Sequence, residues 1–149
     1  MAEYFSIKIS NAPWENITVD EIIDVSKQLA EYIPVVFTTM GPEGLLVTRK
    51  GNATDVFYNF TNNSSYEVNN SMACNEIESR IYPPLLNIDD NINKGYSVSG
   101  CGDCLAAGII SGMLKGYDEL SSVSLGLRAA AISLQSFETT PATLKSLKS

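Results

Sequence analysis

The sequence predicts an α/β fold built in layers, and three observations carry that prediction. A helix-capping pattern at Thr18 is followed by apolar residues at helical spacing. Two β-branched runs then flank a glycine turn at 41–44, and a second glycine turn at 100–102 opens an apolar helix that an alanine-rich helix follows. The resulting order of helix, strands, strand-turn-helix and helix is that of helices laid on a sheet, because each amphipathic element must bury its apolar side against another.

Along the chain, Tyr4, Phe5, Ile7 and Ile9 alternate loosely and suit a short strand or arm before a turn at Pro13 and Trp14. Thr18 and Glu21 have capping-box spacing, and Ile22, Val25, Leu29 and Tyr32 recur on one helical face, so a helix is expected over 19–32. Pro34 stops it. Val35–Met40 is β-branched and aromatic and reads as a buried strand; Gly41-Pro42-Glu43-Gly44 is a turn, and Leu45–Arg49 returns as a second strand. A third strand is expected near Asp55–Phe60. Residues 61–75 are crowded with Asn and Ser, whose side chains compete for the backbone, and read as a mobile loop. Ile77–Tyr82 is a further short strand ended by Pro83-Pro84, and Asn87–Asn93 is again loop. In the helix after the second glycine turn, Leu105, Ile109, Gly112/Met113 and Tyr117 mark one face, while Ala106, Ala107 and Gly108 allow close packing; Gly116 ends it. Leu120–Ser136 is the last helix, and Pro141 begins an irregular tail. These are too few strands for a doubly wound domain.

The 149 residues, 44% of them hydrophobic, suffice for a single domain with its own core. A net charge of −7 leaves no basic face for nucleic acid or an anionic membrane, so neither is an expected partner. No apolar stretch approaches the ~20 residues needed to span a bilayer, and no basic-then-apolar leader opens the chain, which therefore reads as cytoplasmic. Cys74, Cys101 and Cys104 form an odd, sparse set and read as reduced thiols. The chain has no histidine. Serine and cysteine triads, His-ligated zinc and imidazole acid–base chemistry are thereby excluded, leaving carboxylates, thiols, backbone dipoles or a cation brought with a ligand.

The most informative segment is Tyr96–Gly108. A short extended stretch leads into Gly100-Cys101-Gly102, and Asp103 follows at the start of the helix. Such a turn lets successive N–H groups converge where the helix N-terminus adds partial positive charge, forming an anion hole at Gly100, Cys101 and Gly102. Asp103 at its rim is the candidate proton acceptor. Common nucleotide motifs do not fit: Leu105 stands where a dinucleotide fingerprint needs Gly or Ala, and no Gly-Lys-Ser/Thr ending makes a Walker loop.

The turn does resemble the glycine-alanine-glycine-aspartate signature of the ribokinase, or PfkB, family of sugar and nucleoside kinases, with Cys101 in the alanine's place. Thr39-Met40-Gly41-Pro42-Glu43-Gly44 is similar to the family's Thr-x-Gly-x-x-Gly turn, the two motifs come in the family's order, and Leu125–Gln135 resembles the helix that flanks the adenine. The Val-Ser-Val-Ser-Gly-x-Gly-Asp-Cys run looks most like the pseudouridine kinases. The resemblance spans residues 18–143 and matches only the family's C-terminal half. No counterpart of its sugar-pocket strands, lid sheet or Asn-x-x-Glu motif is present; Asn11 and Glu15 are one residue too far apart, and Ser97 stands where many relatives carry an aspartate of the monovalent-cation site.

What the resemblance implies is a partial three-layer α/β/α ribokinase-like fold and ATP-dependent phosphorylation of a sugar or nucleoside hydroxyl, with Mg²⁺ as the ion. Asp103 would be the base, the amides of Gly100, Cys101 and Gly102 the anion hole, and Thr39, Gly41 and Gly44 the nucleotide side; no protein metal ligand is expected. The chain alone is expected to be inactive for want of the acceptor pocket, and a truncated sheet favours self-association. Two plainer readings stand beside this one. A Gly-x-Gly-Asp turn also serves as a simple cap, as in a non-catalytic interaction module. Cys101-Gly102-Asp103-Cys104 is also a Cys-x-x-Cys at a helix start, the setting of redox thiols, although an acid inside the motif disfavours a thiolate.

Overall fold

The structure, a computed structural model, describes residues 17–60, 66–68, 76–86, 99–136 and 141–147. Helix α1 spans Val19–Ala30. The capping box forms as the spacing predicts: Thr18 Oγ1 accepts from the Glu21 N–H at 3.3 Å, and the Glu21 carboxylate accepts from the Thr18 N–H at 2.9 Å. The helix stops two residues short of the expected end because the N–H groups of Tyr32 and Ile33 both turn back to the Leu29 carbonyl.

Strand β1 (Val35–Thr39) follows, then a 3₁₀ turn at Gly41–Glu43, and strand β2 at Leu45–Lys50. Two short strands, β3 (Tyr58–Phe60) and β4 (Tyr66–Val68), pair antiparallel with Tyr58 opposite Val68, and β5 spans Ile77–Tyr82. The main sheet has the order β1-β2-β5 and is antiparallel throughout, with Phe37 opposite Val47 and Val47 opposite Arg80. The described residues are thus mixed α/β, with three α-helices and a main three-stranded antiparallel sheet beside the β3–β4 pair.

Every residue from Leu45 to Arg49 is buried, which requires cover on both faces of the sheet. On one face Leu45 and Val47 enter a cluster with Phe57, Leu105, Ile109, Val123 and Ala130. On the other, α1 packs on the sheet and its buried Ser26 shares a hydrogen bond with Thr38 at 3.1 Å. Thr48 and Ser79 make a similar cross-strand pair at 2.9 Å on that face.

Helices α2 (Cys101–Leu114) and α3 (Glu119–Leu134) cover the first face as an antiparallel pair. Their backbones nearly touch: a Cβ on Gly108 would lie 2.6 Å from the Gly126 Cα, and one on Gly112 would lie 2.8 Å from the Ser122 Cα. Leu105, Ile109 and Gly112 are buried and Met113 packs on the cluster, the face that the spacing predicts. Gly116, with φ 74°, ends the helix in the left-handed conformation that a residue with a Cβ avoids. None of the described helices is long and apolar enough to cross a membrane.

Three expectations need correction. The strand near Asp55–Phe60 is confined to Tyr58–Phe60 and pairs outside the main sheet. The backbone before it is committed elsewhere, since the Asp55 and Ala53 carbonyls accept from Glu119 and Leu120 at the start of α3. Within the expected loop 61–75, Tyr66–Val68 is strand β4; residues 61–65 and 69–75 lie outside the described residues. The tail after Pro141 carries a 3₁₀ helix at Ala142–Ser146. The expected arm at 1–16, the loop at 87–93, the extended stretch at 96–98 and Cys74 also lie outside the described residues.

Candidate functional site

The start of α2 is built around Gly100, which takes φ 79° and ψ −6° at the N-cap position. A residue with a Cβ would pay roughly 1–2 kcal/mol for that left-handed conformation. Gly100 accepts the first intrahelical bond through its carbonyl, from the Cys104 N–H at 2.9 Å, but has no side chain to satisfy the free donors. The N–H groups of Cys101, Gly102 and Asp103 precede the intrahelical ladder and have no acceptor among the described residues. Gly102 is exposed, and a Cβ there would meet nothing within 4 Å among the described residues. The Asp103 side chain is exposed in the first turn of the same helix.

Cys101 takes part through its backbone only. Its side chain packs against the core, and its Sγ–H points at the Ala130 carbonyl at 3.8 Å. Burial, with the neighbouring Cys104 adding to it, pushes the Cys101 thiol above its ordinary value. Cys104 is itself buried, and neither thiol is in a disulfide. The low-pKa, accessible thiolate that a redox Cys-x-x-Cys requires is therefore not built at Cys101.

The other candidate residues lie on the β1–β2 connection. Thr39 is exposed at the end of β1, and Gly41, with φ 59°, has open space where a Cβ would stand. Gly44 differs. At φ 98°, its Cβ would run into the Tyr82 carbonyl and Pro83, so a close approach between the starts and ends of neighbouring strands already demands glycine there. Tyr82 links the two regions, since its backbone abuts Gly44 and its side chain packs on the core cluster that Cys101 also touches. No common cavity among the described pockets encloses both turns. A cavity of about 340 Å³ beside Asp103 is lined by Cys104, Ala107, Gly108, Leu125 and Leu147, and by none of Thr39, Gly41 and Gly44. Arg128, the lone basic residue of α3, is exposed.

Sequence reasoning missed a buried ionic group between sheet and helix. The fully buried Glu119 carboxylate takes a two-pronged bond from Arg80, Nε to Oε1 at 2.7 Å and Nη2 to Oε2 at 2.8 Å. Tyr82 donates to the same Oε1 at 2.8 Å, and Arg49 approaches Oε2 at 3.7 Å while its guanidinium lies over the Phe57 ring at 4.7 Å. Hydrogen bonding to Glu119 raises the Arg80 pKa, burial lowers that of Arg49, and burial followed by the Glu119 bond pushes the Tyr82 phenol well up. These groups satisfy one another and pin the start of α3 to β2 and β5. The available signal was strand parity, which puts Arg49, Arg80 and Tyr82 on the face that α3 covers.

Neither a family model nor a curated protein sequence matches this chain.

Proposed function

We propose that the Gly100–Asp103 turn holds the transferring phosphoryl group of ATP, and that the chain is the C-terminal, nucleotide-side part of a ribokinase-like kinase acting on a sugar or nucleoside hydroxyl, with pseudouridine as the favoured acceptor. The observation that carries this reading is the set of three successive amides without an acceptor among the described residues, beside an exposed carboxylate on the same turn. In the reaction, the acceptor oxygen forms a bond to the γ-phosphorus, the bond from that phosphorus to the bridging oxygen of ADP breaks, and the hydroxyl proton passes to Asp103. The amides stabilise charge on the phosphoryl oxygens, and a loose transition state asks little basicity of the carboxylate. Thr39 and Gly41 would contact the nucleotide from the sheet side, with Gly44 holding their turn in place.

The donors fit a phosphate. For Mg²⁺, no group of three His, Cys, Asp or Glu side chains lies together among the described residues. The ion commonly keeps waters and takes ligands from substrate phosphates, so it would arrive with the nucleotide, whose charge it neutralises. Titration calorimetry with ATP and Mg²⁺ tests the reading. Saturable binding that Gly102→Val abolishes without unfolding is expected, because a Cβ at Gly102 meets no described atom and the valine side chain would crowd a phosphate held by the neighbouring amides. Turnover is not expected from the 149 residues alone, which have no counterpart of the family's acceptor pocket.

A second reading, a non-catalytic interaction module on the same scaffold, is favoured by the cavity beside Asp103, whose described lining includes none of Thr39, Gly41 and Gly44. Absence of nucleotide binding, together with indifference to Gly102→Val, would select it.

A further inference from the structure

Helix α2 is apolar almost all round. Asp103 is the one charged residue among its 14, and a helix of that composition is normally covered on every side. Two sides are covered here: Leu105 and Ile109 enter the core cluster, and Gly108 and Gly112 meet α3. The third is not. Asp103, Ala106, Ala107, Ile110 and Leu114 lie within an arc of about 100° around the helix and are all exposed, Ile110 and Leu114 by 54% and 56%. A groove of about 540 Å³ runs along this stripe, lined by Ala107, Ile110, Ser111, Leu114 and Lys115.

The stripe differs from one end to the other. Its N-terminal half is small, Ala106 and Ala107, and is headed by the acid Asp103; its C-terminal half is large, Ile110 and Leu114, and is followed by the base Lys115. The two charges stand about 18 Å apart along the axis, too far to pair within one chain. Neither has an ion-pair partner among the described residues, and the Lys115 amine rests over the Tyr117 ring at 5.7 Å.

We propose that this stripe packs on the same stripe of a second copy of the chain, antiparallel about a two-fold axis level with residue 109. That register brings Lys115 of each copy to Asp103 of the other, sets each Leu114 beside the small Ala106, and places the two Ile110 side chains against one another. Charge and size are matched together, since the acid and the small residues share one half and the base and the large residues share the other. A parallel copy would set Asp103 on Asp103 and large residues on large. The inference does not rest on the phosphoryl reading; where both hold, pairing withholds Asp103 from a substrate hydroxyl.

Sedimentation velocity of the 149-residue chain over rising concentration tests it, with conversion from monomer to dimer expected. Lys115→Glu and Asp103→Lys each put like charges at both ends of the interface and should weaken the dimer roughly tenfold or more. An equimolar mixture of those two variants should dimerise again, because the exchanged charges then face their opposites at both ends. Leu114→Asp, at an exposed position, should leave a folded monomer; if it does not fold, the charge exchange decides. A wild-type monomer at every concentration, single charge variants that dimerise like the wild type, a mixture that stays monomeric, or a dimer undiminished in folded Leu114→Asp would overturn the proposal.

Discussion

At the start of α3, the Asp118 side chain accepts from the Ser121 N–H at 2.8 Å, the carbonyls of Asp55 and Ala53 take the N–H groups of Glu119 and Leu120, and the Glu119 carboxylate disappears among Arg80, Tyr82 and Arg49. At the start of α2 there is no side-chain cap, no such carbonyl among the described residues, and Asp103 stands in solvent. Both helices place an acid in the first turn, and both face the same shortage of acceptors for their leading amides. One end is saturated by the protein, which makes its acid a structural tie. The other is left with donors that have no acceptor among the described residues, which forgoes the stability a cap supplies and leaves capacity for an anion.

The largest expected effect lies at the saturated end. Glu119→Ala strands two arginines around a buried site and should cost about 3–5 kcal/mol in urea unfolding. Asp103→Ala should change stability by no more than about 0.5 kcal/mol. Equal losses from the two substitutions would break the comparison.

Tyr82→Phe should cost about 1–2 kcal/mol, since it leaves Glu119 with one donor fewer in a buried site. Its pH behaviour sharpens the same point. The phenol's pKa is raised above the ordinary 10.0, so the folded chain holds that proton more tightly than the unfolded one. The contribution is complete below that ordinary value and is lost progressively as pH climbs toward the higher native one. Cys101, raised from 9.0, acts in the same direction. Unfolding curves at rising alkaline pH should therefore show falling stability, with a shallower fall in Tyr82→Phe. Asp118→Ala, which removes one cap bond while the carbonyls of Asp55 and Ala53 remain, should cost about 1 kcal/mol, the smallest of the three losses at the α3 end.

The same contrast separates what was legible in the sequence from what was not. The capping box at Thr18, the turn between β1 and β2, the stop at Gly116 and the opening of α2 at Gly100 depend on residues within a few positions of one another, and each is present. The ties at α3 join residues far apart in the chain, Arg80 to Glu119 across 39 positions, so no local pattern announces them. Strand β4 is three residues in an Asn- and Ser-rich stretch, too short to give a pattern of its own, and it pairs with Tyr58–Phe60. Of the site residues, Gly100 and Gly102 have the conformation or open space their pattern suggests, whereas Gly44 is fixed by a contact with Tyr82 that only the fold brings about.

The most direct test is an amide-resolved NMR titration of the chain with ATP and Mg²⁺. Saturable shifts at Cys101, Gly102 and Asp103, with Glu119, Leu120 and Ser121 unmoved, are the predicted result. No response at the α2 amides, or responses of equal size at both helix starts, would contradict the claim that one N-terminus is kept open for phosphate while the other is closed by the protein itself.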